Sequence, residues 1–379
     1  MIFTLKQYDF ELLTFELRQE GLDGLACSIL RVHEAKRHLL PLGMPLNGDG
    51  VLAWLKSRII PRNREYVDKI LSVYGLSRNN LLGILKLSFG LSLNDSYWCV
   101  PEGFDGRFGA FNLYENAFDK ALSLIAYTGF GSVRPSGFSS SPEFTTNGNL
   151  RKGWRRIGGI VQLYKGGSSG AANTGNEPYS EYYAAQIAET MGVDHVPYRL
   201  AKWKGTLCST CELFTDIDHS FVSAHRLFPG RKLTEIAAEL ETMGRTFYEP
   251  FRDMMVFDAL VCNTDRHLGN FGLLIDNRRN RPAGFAPLFD NGLALFPFAM
   301  RDDFADLTRY AASRLSSYDV PFDELASAFM GDRQRKQLRK LAGFRFTRHS
   351  RYNLPAWRLK RLEEFIRARA AGLLGGKHG

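Results

Sequence analysis

Apolar residues recur at helical spacing through most of the second half of the chain. From Leu233 onward this period predicts helices over 233–243, 249–262, 303–315, Pro321 to about 330, and 355–373. One short hairpin interrupts them, with strands at 271–275 and 284–289 joined across 277–280. The C-terminal part is therefore predicted to be mostly helical.

Strands dominate the middle of the chain. One strand is predicted over 157–164, and two paired strands over 196–203 and 206–214. Between them lies a predicted helix, 180–191, with Ser180 as its cap and Gly192 as its stop.

The part before residue 129 has a mixed pattern, with helical spacing over 62–74 and 80–87. A stretch rich in Gly, Ser, Pro and Asn, 129–149, resembles a linker. The order of elements predicts an α+β protein with two lobes and an additional N-terminal part. We divide it into a mixed subdomain (1–128), a strand-rich lobe (129–215) and a mostly helical lobe (216–379).

Composition changes this picture little. The 379 residues are 44% hydrophobic and 23% charged, which is typical of a globular protein large enough for two lobes. No run of eighteen apolar residues is present, and Asp9 and Glu11 interrupt the first segment, so neither a spanning helix nor a signal peptide is predicted. We therefore expect a cytoplasmic protein with no membrane partner.

The five cysteines are few and odd in number, as expected for reduced thiols in a cytoplasm. Cys208 and Cys211 have the spacing of a metal-binding pair. A tetrahedral site needs a second pair of ligands, and the sequence has no second C-x-x-C or H-x-x-x-H motif, so we assign no metal there.

The net charge of +9 is concentrated at the C-terminal end. Residues 333–379 hold fourteen Lys and Arg against Glu363 and Glu364, a local charge of +12, while the rest carries about −3. Because apolar residues recur at helical spacing among these charges, we interpret them as solvated helix faces. A nucleic acid or an acidic partner is the alternative.

Two polar motifs flank the predicted hairpin. Asn263–Asn270 (NTDRHLGN) precedes its first strand, and Phe289-Asp290-Asn291-Gly292 follows its second. A hairpin brings its ends together, so Asn270 and Asp290 should be neighbours, and their oxygens beside Asp265 suit a hard divalent cation. Either motif alone is also typical of a turn. Their combination favours a metal site.

Cationic groups that could meet phosphate occur upstream. Lys165 follows Leu163 and Tyr164 in a predicted strand, and Glu181 lies on the next helix; such a pair positions α- and β-phosphates. A surface lysine whose stem packs on apolar residues is the alternative.

Further upstream, a loop contains Thr145, Thr146, Gly148 and Lys152, which offer hydroxyls, close backbone approach and charge, although it is not a Walker motif. The connector Glu212-Leu213-Phe214 is placed by its order in the chain to bond adenine through its backbone.

These motifs resemble those of the HipA family of bacterial serine/threonine kinases, the toxin components of toxin–antitoxin pairs. The resemblance covers roughly residues 140–345 and implies a two-lobed protein-kinase-like fold. Asp265-Arg266-His267-x-x-Asn270 resembles the catalytic loop, and 289–292 the family's version of D-F-G. The match implies that Asp265 orients or deprotonates the acceptor hydroxyl, and that Asn270 and Asp290 ligate Mg²⁺.

The same resemblance extends to nucleotide binding. Lys165 matches the phosphate-binding lysine, Glu181 its partner, and Glu212 and Phe214 belong to the hinge. Residues 145–152 are similar to a Ser-x-x-Gly-x-x-x-Lys loop in which the serine can be autophosphorylated, switching the enzyme off. Thr145 stands at that position here.

The implied activity is transfer of the γ-phosphate of ATP, with Mg²⁺, to a Ser or Thr of a protein substrate. The implied partner is an antitoxin with a DNA-binding helix-turn-helix, so any DNA contact would be shared or indirect. Two alternatives stay open. Asp-Arg-His-x-x-Asn is also the loop of phosphoinositide kinases, which leaves a lipid or small-molecule kinase. The basic end 333–379 leaves a nucleic-acid-binding regulator with a vestigial nucleotide site.

Overall fold

The computed structural model describes residues 1–21, 24–132, 138–139, 141–171 and 173–375. Parts of the linker predicted over 129–149 (133–137 and 140) and the last residues of the basic end (376–379) lie outside the described residues. The chain forms two compact units, each assembled from three stretches. They are Met1–Tyr164, Glu212–Val222 and Leu274–Ala283, and Lys165–Cys211, Ser223–Leu273 and Gly284–Gly379.

The chain up to Gly166 contributes six strands and four helices to the described fold. They are β1 (Ile2–Gln7), β2 (Phe10–Glu20), β3 (Gly24–Val32), α1 (Gly48–Lys56), α2 (Val67–Ser72), α3 (Leu81–Ser88), β4 (Tyr97–Pro101), α4 (Lys120–Thr128), β5 (Lys152–Ile157) and β6 (Ile160–Gly166). Short 3₁₀ turns lie at Glu34–Leu39, Phe108–Ala110 and Pro142–Phe144.

The remainder is richer in helices. It contains α5 (Glu177–Met191), β7 (Arg199–Trp203), β8 (Thr206–Glu212), β9 (His219–Ser223), α6 (Ala224–Leu227), α7 (Leu233–Met243), α8 (Arg245–Val261), β10 (Gly272–Asp276), β11 (Arg281–Phe285), α9 (Leu307–Ala312), α10 (Phe322–Phe329), α11 (Asp332–Arg339) and α12 (Ala356–Gly375). A 3₁₀ turn covers Asp302–Ala305.

The first unit is built on an antiparallel sheet of order β3-β2-β1-β4 that the sequence pattern did not predict. In its register Phe3 pairs with Phe15 and Leu5 with Leu13, and all four side chains are fully buried. Alternate residues of a strand face one side, so this face forms an apolar layer that packs with residues of α1.

Several strand boundaries differ from the prediction: β7 begins at Arg199 rather than at 196, and β8 ends at Glu212 rather than at 214. Two further differences have a clear physical cause. The strand expected over 157–164 begins only at Ile160, as β6. Gly158 and Gly159, whose φ angles of +58° and +85° suit a tight hairpin turn, join it to β5, which was not predicted. The second strand of the later hairpin ends at Phe285 rather than near 289. Pro287 lacks the N–H needed to extend the ladder, and Leu288 instead bridges His195 in parallel.

Helices of the second unit place the functional loops. α8 packs against α7, α10 and α12, and its residues from Met254 to Val261 are almost fully buried. It ends at Cys262, whose φ of +52° turns the chain into the loop that starts at Asn263. α5 begins at Glu177, three residues before the predicted Ser180 cap, because Pro178 suits a first helical turn. It stops at Gly192, as predicted.

Candidate active site

Lys165 lies at the centre of a cluster of charged side chains within the second unit. Its Nζ donates a 2.7 Å hydrogen bond to Oε1 of Glu181 and also contacts a carboxylate oxygen of Asp290. Glu181, on α5, is fully buried, whereas Lys165 keeps 12% of its side chain exposed. The structure therefore brings together three of the residues singled out in the sequence.

Electrostatics explain why a lysine is stable here. Burial lowers the pKa of Lys165, but the charges of Asp290 and Glu181 outweigh that effect and raise the pKa above its ordinary value. Burial raises the pKa of Glu181, and the nearby Lys165 opposes that rise. The lysine is therefore a fixed positive charge at neutral pH, set at the edge of the unit's interior.

The segment after β11 is fixed to the same cluster through its backbone. The N–H of Asn291 donates to Oε2 of Glu181 at 2.8 Å, and the N–H of Asp290 donates to the hydroxyl of Tyr198 at 3.2 Å. Asp290 adopts a φ of +55°, a conformation that side chains other than glycine rarely take. Such strain persists where the surroundings hold it, and it is common at functional sites.

Arg266 connects this segment to the loop after α8. Its guanidinium is buried and bonds to Asp258 at 2.8 and 3.1 Å. The same group donates to the carbonyl of Asn270 at 3.0 Å, to that of Phe289, and to Oδ1 of Asn291 at 2.6 Å. The ends of the predicted hairpin are thus joined through one arginine.

The loop itself is organised by asparagines. Oδ1 of Asn263 accepts from the N–H of Asp265 at 3.1 Å, and its Nδ2 donates to Asp258 at 3.1 Å. Nδ2 of Asn270 donates to the carbonyl of Asp265 at 2.9 Å. The Oδ1 of Asn270 is therefore the atom of this amide that can bind a ligand such as a cation. Both site residues of the loop are therefore held in fixed positions.

Asp265 has the properties of a proton acceptor. Its side chain is partly buried, and burial together with the charge of Asp290 raises the pKa of the Asp265 carboxyl. A carboxylate with a raised pKa accepts a proton more readily near neutral pH.

Oxygen donors dominate this cluster. The carboxylate of Asp290 and the amide oxygen of Asn270 are hard oxygen donors of the type that Mg²⁺ binds together with water and phosphate oxygens. Among the described residues, no three His, Cys, Asp or Glu side chains gather as a complete metal site. The donor set fits a Mg²⁺ ion that a bound phosphate helps to hold.

The predicted phosphate loop lies in the first unit and is tightly bonded. The hydroxyl of Thr145 is buried and donates to the carbonyl of Leu91 at 2.8 Å, and that of Thr146 donates to Pro142 at 2.7 Å. Nζ of Lys152 donates to the carbonyl of Asn147 at 2.7 Å. Gly148 has a φ of +92°, a conformation that favours glycine, and a Cβ there would displace the Nζ of Lys152.

The predicted hinge residues end β8 and begin the following segment. Glu212 is exposed, and Phe214 packs edge-on against Phe221. The N–H of Leu213 donates to the carbonyl of Val161 at 3.0 Å, so this backbone position is already bonded.

Several residues of the site were not identified from sequence. Arg266 lies within the motif Asn263–Asn270, but no role was predicted for it. The signal that could have identified it is its positive charge between Asn263 and Asn270. Asp258 lies in the last turn of α8, eight residues before Arg266, and this pairing could not be inferred from spacing. The others hold the loop and the segment after β11 by hydrogen bonds: Asn263, Tyr198 and Asn291.

Two other sequence features are resolved by the fold. Cys208 and Cys211 lie three residues apart on β8, so their side chains leave opposite faces of the strand.

Eight basic side chains of the C-terminal end have partners within the second unit: Arg333, Arg335, Lys340, Arg348, Arg358, Arg361, Arg367 and Arg369. These contacts favour a structural interpretation of the positive charge.

No helix among the residues that the structure describes is long and apolar enough to cross a membrane.

Comparison with known proteins gives a sequence relative and a structural one. No protein-family model matches the chain. The chain is similar to the serine/threonine-protein kinase CtkA of Helicobacter pylori strain J99, with 32% identity over 144 residues. That match covers 33% of this chain and 42% of the relative, so the chain spans less than half the length of the curated protein it matches.

Two solved structures are similar to this one. The crystal structure of the Helicobacter pylori proinflammatory kinase CtkA matches with 19% identity and a TM-score of 0.41, over 59% of this chain and 89% of that chain. HipA of Shewanella oneidensis MR-1, solved with HipB and operator DNA, matches with 13% identity and a TM-score of 0.54, over 99% of this chain and 100% of that chain. The HipA match confirms the predicted α+β, protein-kinase-like fold. Together with the sequence similarity to CtkA, it confirms the resemblance to HipA-like serine/threonine kinases.

Proposed function

We propose that this protein is an ATP- and Mg²⁺-dependent kinase of the HipA-like type that phosphorylates a serine or threonine of another protein. The observation that carries the proposal is the joint contact of Lys165 with Glu181 and Asp290. A lysine paired with a helix glutamate, beside a metal-binding aspartate, is the arrangement that kinases use for phosphates. The similarity to CtkA supports the same chemistry.

Each residue of the cluster has a defined task in this proposal. Lys165 binds phosphate oxygens, and Glu181 keeps its ammonium group in place. Asp290 and Asn270 hold Mg²⁺, which when bound neutralises charge on the phosphates. Asp265 orients the acceptor hydroxyl and takes its proton, and its raised pKa suits this task. Catalysis then comes mainly from positioning and charge neutralisation.

The first unit contributes nucleotide contacts in the same proposal. Thr145, Thr146, Gly148 and Lys152 are proposed to bind phosphate oxygens, and the Glu212–Phe214 connector is proposed to bond adenine through its backbone. Because the hydroxyls of Thr145 and Thr146 both donate to backbone carbonyls, autophosphorylation at Thr145 requires these hydrogen bonds to break and the loop to open. Autoregulation at Thr145 stays a prediction.

Partners follow from the structural relative. HipA of Shewanella oneidensis was solved with HipB and operator DNA. We propose that this protein likewise has an antitoxin partner that carries the DNA-binding element. The internal contacts of eight basic side chains weigh against the alternative of a nucleic-acid-binding regulator, because those charges already have partners.

Phosphoryl-transfer assays with three classes of acceptor distinguish a protein kinase from a lipid kinase or a small-molecule kinase. The purified protein is incubated with Mg·ATP and a cell lysate, phosphoinositide vesicles or a panel of small alcohols, and ADP release and labelled products are followed. Protein phosphorylation supports the proposal. ADP release with labelled lipid or small molecule but no labelled protein would replace it with the lipid or small-molecule alternative. No ADP in any arm would refute kinase activity.

A further inference from the structure

Arg64 is a buried arginine in the first unit, and no sequence motif predicts a role for it. Only 2% of it is exposed, and its partner Glu143 is fully buried. Nη2 of Arg64 donates to Oε2 of Glu143 at 2.7 Å. Isolated buried charges are costly, so a pair of this kind persists where its geometry and additional hydrogen bonds compensate for lost hydration.

Those additional bonds go to both ends of the loop 145–152. Nη1 of Arg64 donates to the carbonyl of Thr146 at 3.1 Å, and Nη2 donates to that of Lys152 at 2.8 Å. A guanidinium presents its donors in a rigid planar fork. One side chain therefore fixes the distance between the two ends of the loop.

The next residue holds the middle of the loop. The N–H of Glu65 donates to the carbonyl of Asn149 at 2.8 Å. Its carboxylate accepts from the N–H of Arg151 at 3.1 Å and pairs with the Arg151 guanidinium at 2.9 Å. Arg64 and Glu65 together contact the loop at four successive places.

Glu143 completes the arrangement from the other side. Its Oε1 accepts from the N–H of Trp154 at 2.8 Å, and Nε1 of Trp154 donates to the hydroxyl of Thr146 at 2.8 Å. The two carboxylate oxygens of Glu143 thus hold Arg64 and Trp154, and each of these residues bonds to the loop. The loop is a bonded structure rather than a mobile connector.

We propose that Arg64 and Glu65 are positioning residues for nucleotide binding, which hold the loop 145–152 in the shape that receives phosphates. The inference rests on the proposed function and gives the segment before α2 a part in it. A loop that becomes ordered only on binding loses conformational entropy at that moment, and affinity falls accordingly. A loop already held by Arg64 and Glu65 avoids that loss.

The test is Arg64→Lys, with Arg78→Lys as its matched control. Lysine keeps a charge for Glu143 but lacks the fork that reaches Thr146 and Lys152. Arg78 pairs with Asp68 on the surface of the same unit and donates to the carbonyl of Arg62; within the described part of the chain it makes no hydrogen bond to residues 145–152. KM for ATP and kcat are measured, together with hydrogen exchange of the peptide spanning 143–154.

We expect Arg64→Lys to raise KM for ATP about tenfold, since two hydrogen bonds are lost. Exchange across 143–154 should rise with it, while kcat at saturating ATP stays within about twofold of wild type. Arg78→Lys should change neither quantity. If Arg64→Lys does not fold, the partly exposed Glu65→Ala should shift KM and exchange in the same direction by a smaller factor.

Other results would overturn the inference in distinguishable ways. Faster exchange with an unchanged KM would mean that the loop is held but does not bind nucleotide. Unchanged exchange would mean that the contacts do not hold the loop. Wild-type protein that neither transfers phosphate nor protects this peptide with ATP would refute the proposed function, and this inference with it.

Discussion

Glu181 and Asn291 are joined by a 2.8 Å hydrogen bond from the backbone N–H of Asn291 to Oε2. The other oxygen of the same carboxylate accepts from Lys165. One buried side chain on α5 therefore positions both the lysine and the backbone that follows Asp290. Movement of this carboxylate would displace both at once.

Glu181→Gln should disrupt that double contact. An amide has only one acceptor oxygen, so its NH₂ must oppose either Lys165 or the Asn291 N–H, both of which are donors. Misplacement of the lysine by about 1 Å should lower kcat/KM for ATP by about 100-fold. The control is Glu239→Gln on the exposed side of α7, which should retain wild-type kinetics. Equal kinetics for the two variants would refute the positioning role of Glu181.

Arg266→Lys should damage stability and activity together. Lysine retains the charge beside Asp258 but cannot also reach the carbonyls of Asn270 and Phe289 and the Asn291 amide. We expect a loss of about 2–4 kcal/mol in the free energy of unfolding, measured by urea denaturation. Arg361→Lys, at an exposed pair with Glu364, should lose less than about 1 kcal/mol. A wild-type unfolding curve for Arg266→Lys would contradict the account of this network.

Asp290→Ala should weaken Mg·ATP binding more than Asp265→Asn does. Asp290 is proposed to hold the metal, whereas Asp265 acts on the acceptor hydroxyl and has no direct part in binding the nucleotide. Calorimetric titration with a non-hydrolysable ATP analogue and Mg²⁺ should show at least about a tenfold difference in Kd between the variants. Equal affinities would overturn this division of tasks.

The raised pKa of Asp265 predicts how activity depends on pH. Only the ionised carboxylate accepts a proton, so kcat should rise as the pH increases through this raised pKa. The acid limb of the profile should therefore lie above pH 3.8, the ordinary value for an aspartate. A profile that stays flat down to that pH would exclude Asp265 as the base.

The same shift predicts that Asp265→Asn is more stable than wild type at neutral pH. Between pH 3.8 and the raised pKa, the folded protein keeps a proton that the unfolded chain has released. The free energy of unfolding therefore falls as pH rises through this window and stays lower above it. Asparagine cannot ionise, so the free energy of unfolding of Asp265→Asn should exceed that of wild type at pH 7. Urea denaturation at pH 7 and at pH 4 measures this gain, which should shrink at pH 4.

Asp302→Asn is the control for that measurement, because Asp302 is exposed and distant in sequence from the loop. A stability difference between wild type and Asp265→Asn that is the same at both pH values would show that ionisation of Asp265 is not its cause.

Local pattern predicted some elements of this fold well. The helix at Leu233–Met243 was predicted with its observed bounds, because its apolar residues follow a clear helical period. α11 was missed because Leu338 is its single large apolar residue. It is held by polar contacts instead, with Arg333 and Gln334 bonded to Asp253. Such long-range polar pairs leave no periodic signal.

In the candidate site, too, some residues could be predicted from the sequence and others could not. Lys165 and Glu181 were paired from their types and order, because a strand lysine needs an anion and the next helix offers one. Arg64 and Arg266 could not be assigned, since their carboxylate partners lie 79 and 8 residues away and each arginine also bonds to two or more backbone carbonyls. Backbone acceptors are the same at every position, so sequence cannot indicate which of them a buried arginine will reach.

The most direct test of phosphoryl transfer compares wild type, Asp265→Asn and Asp302→Asn. Each is incubated with Mg·ATP labelled on its γ-phosphate and a lysate, and label on protein is quantified. The account predicts label with wild type and with Asp302→Asn, and a loss of at least about 100-fold with Asp265→Asn. Label that persists in Asp265→Asn, or none with the wild type, would contradict the proposed activity of this site.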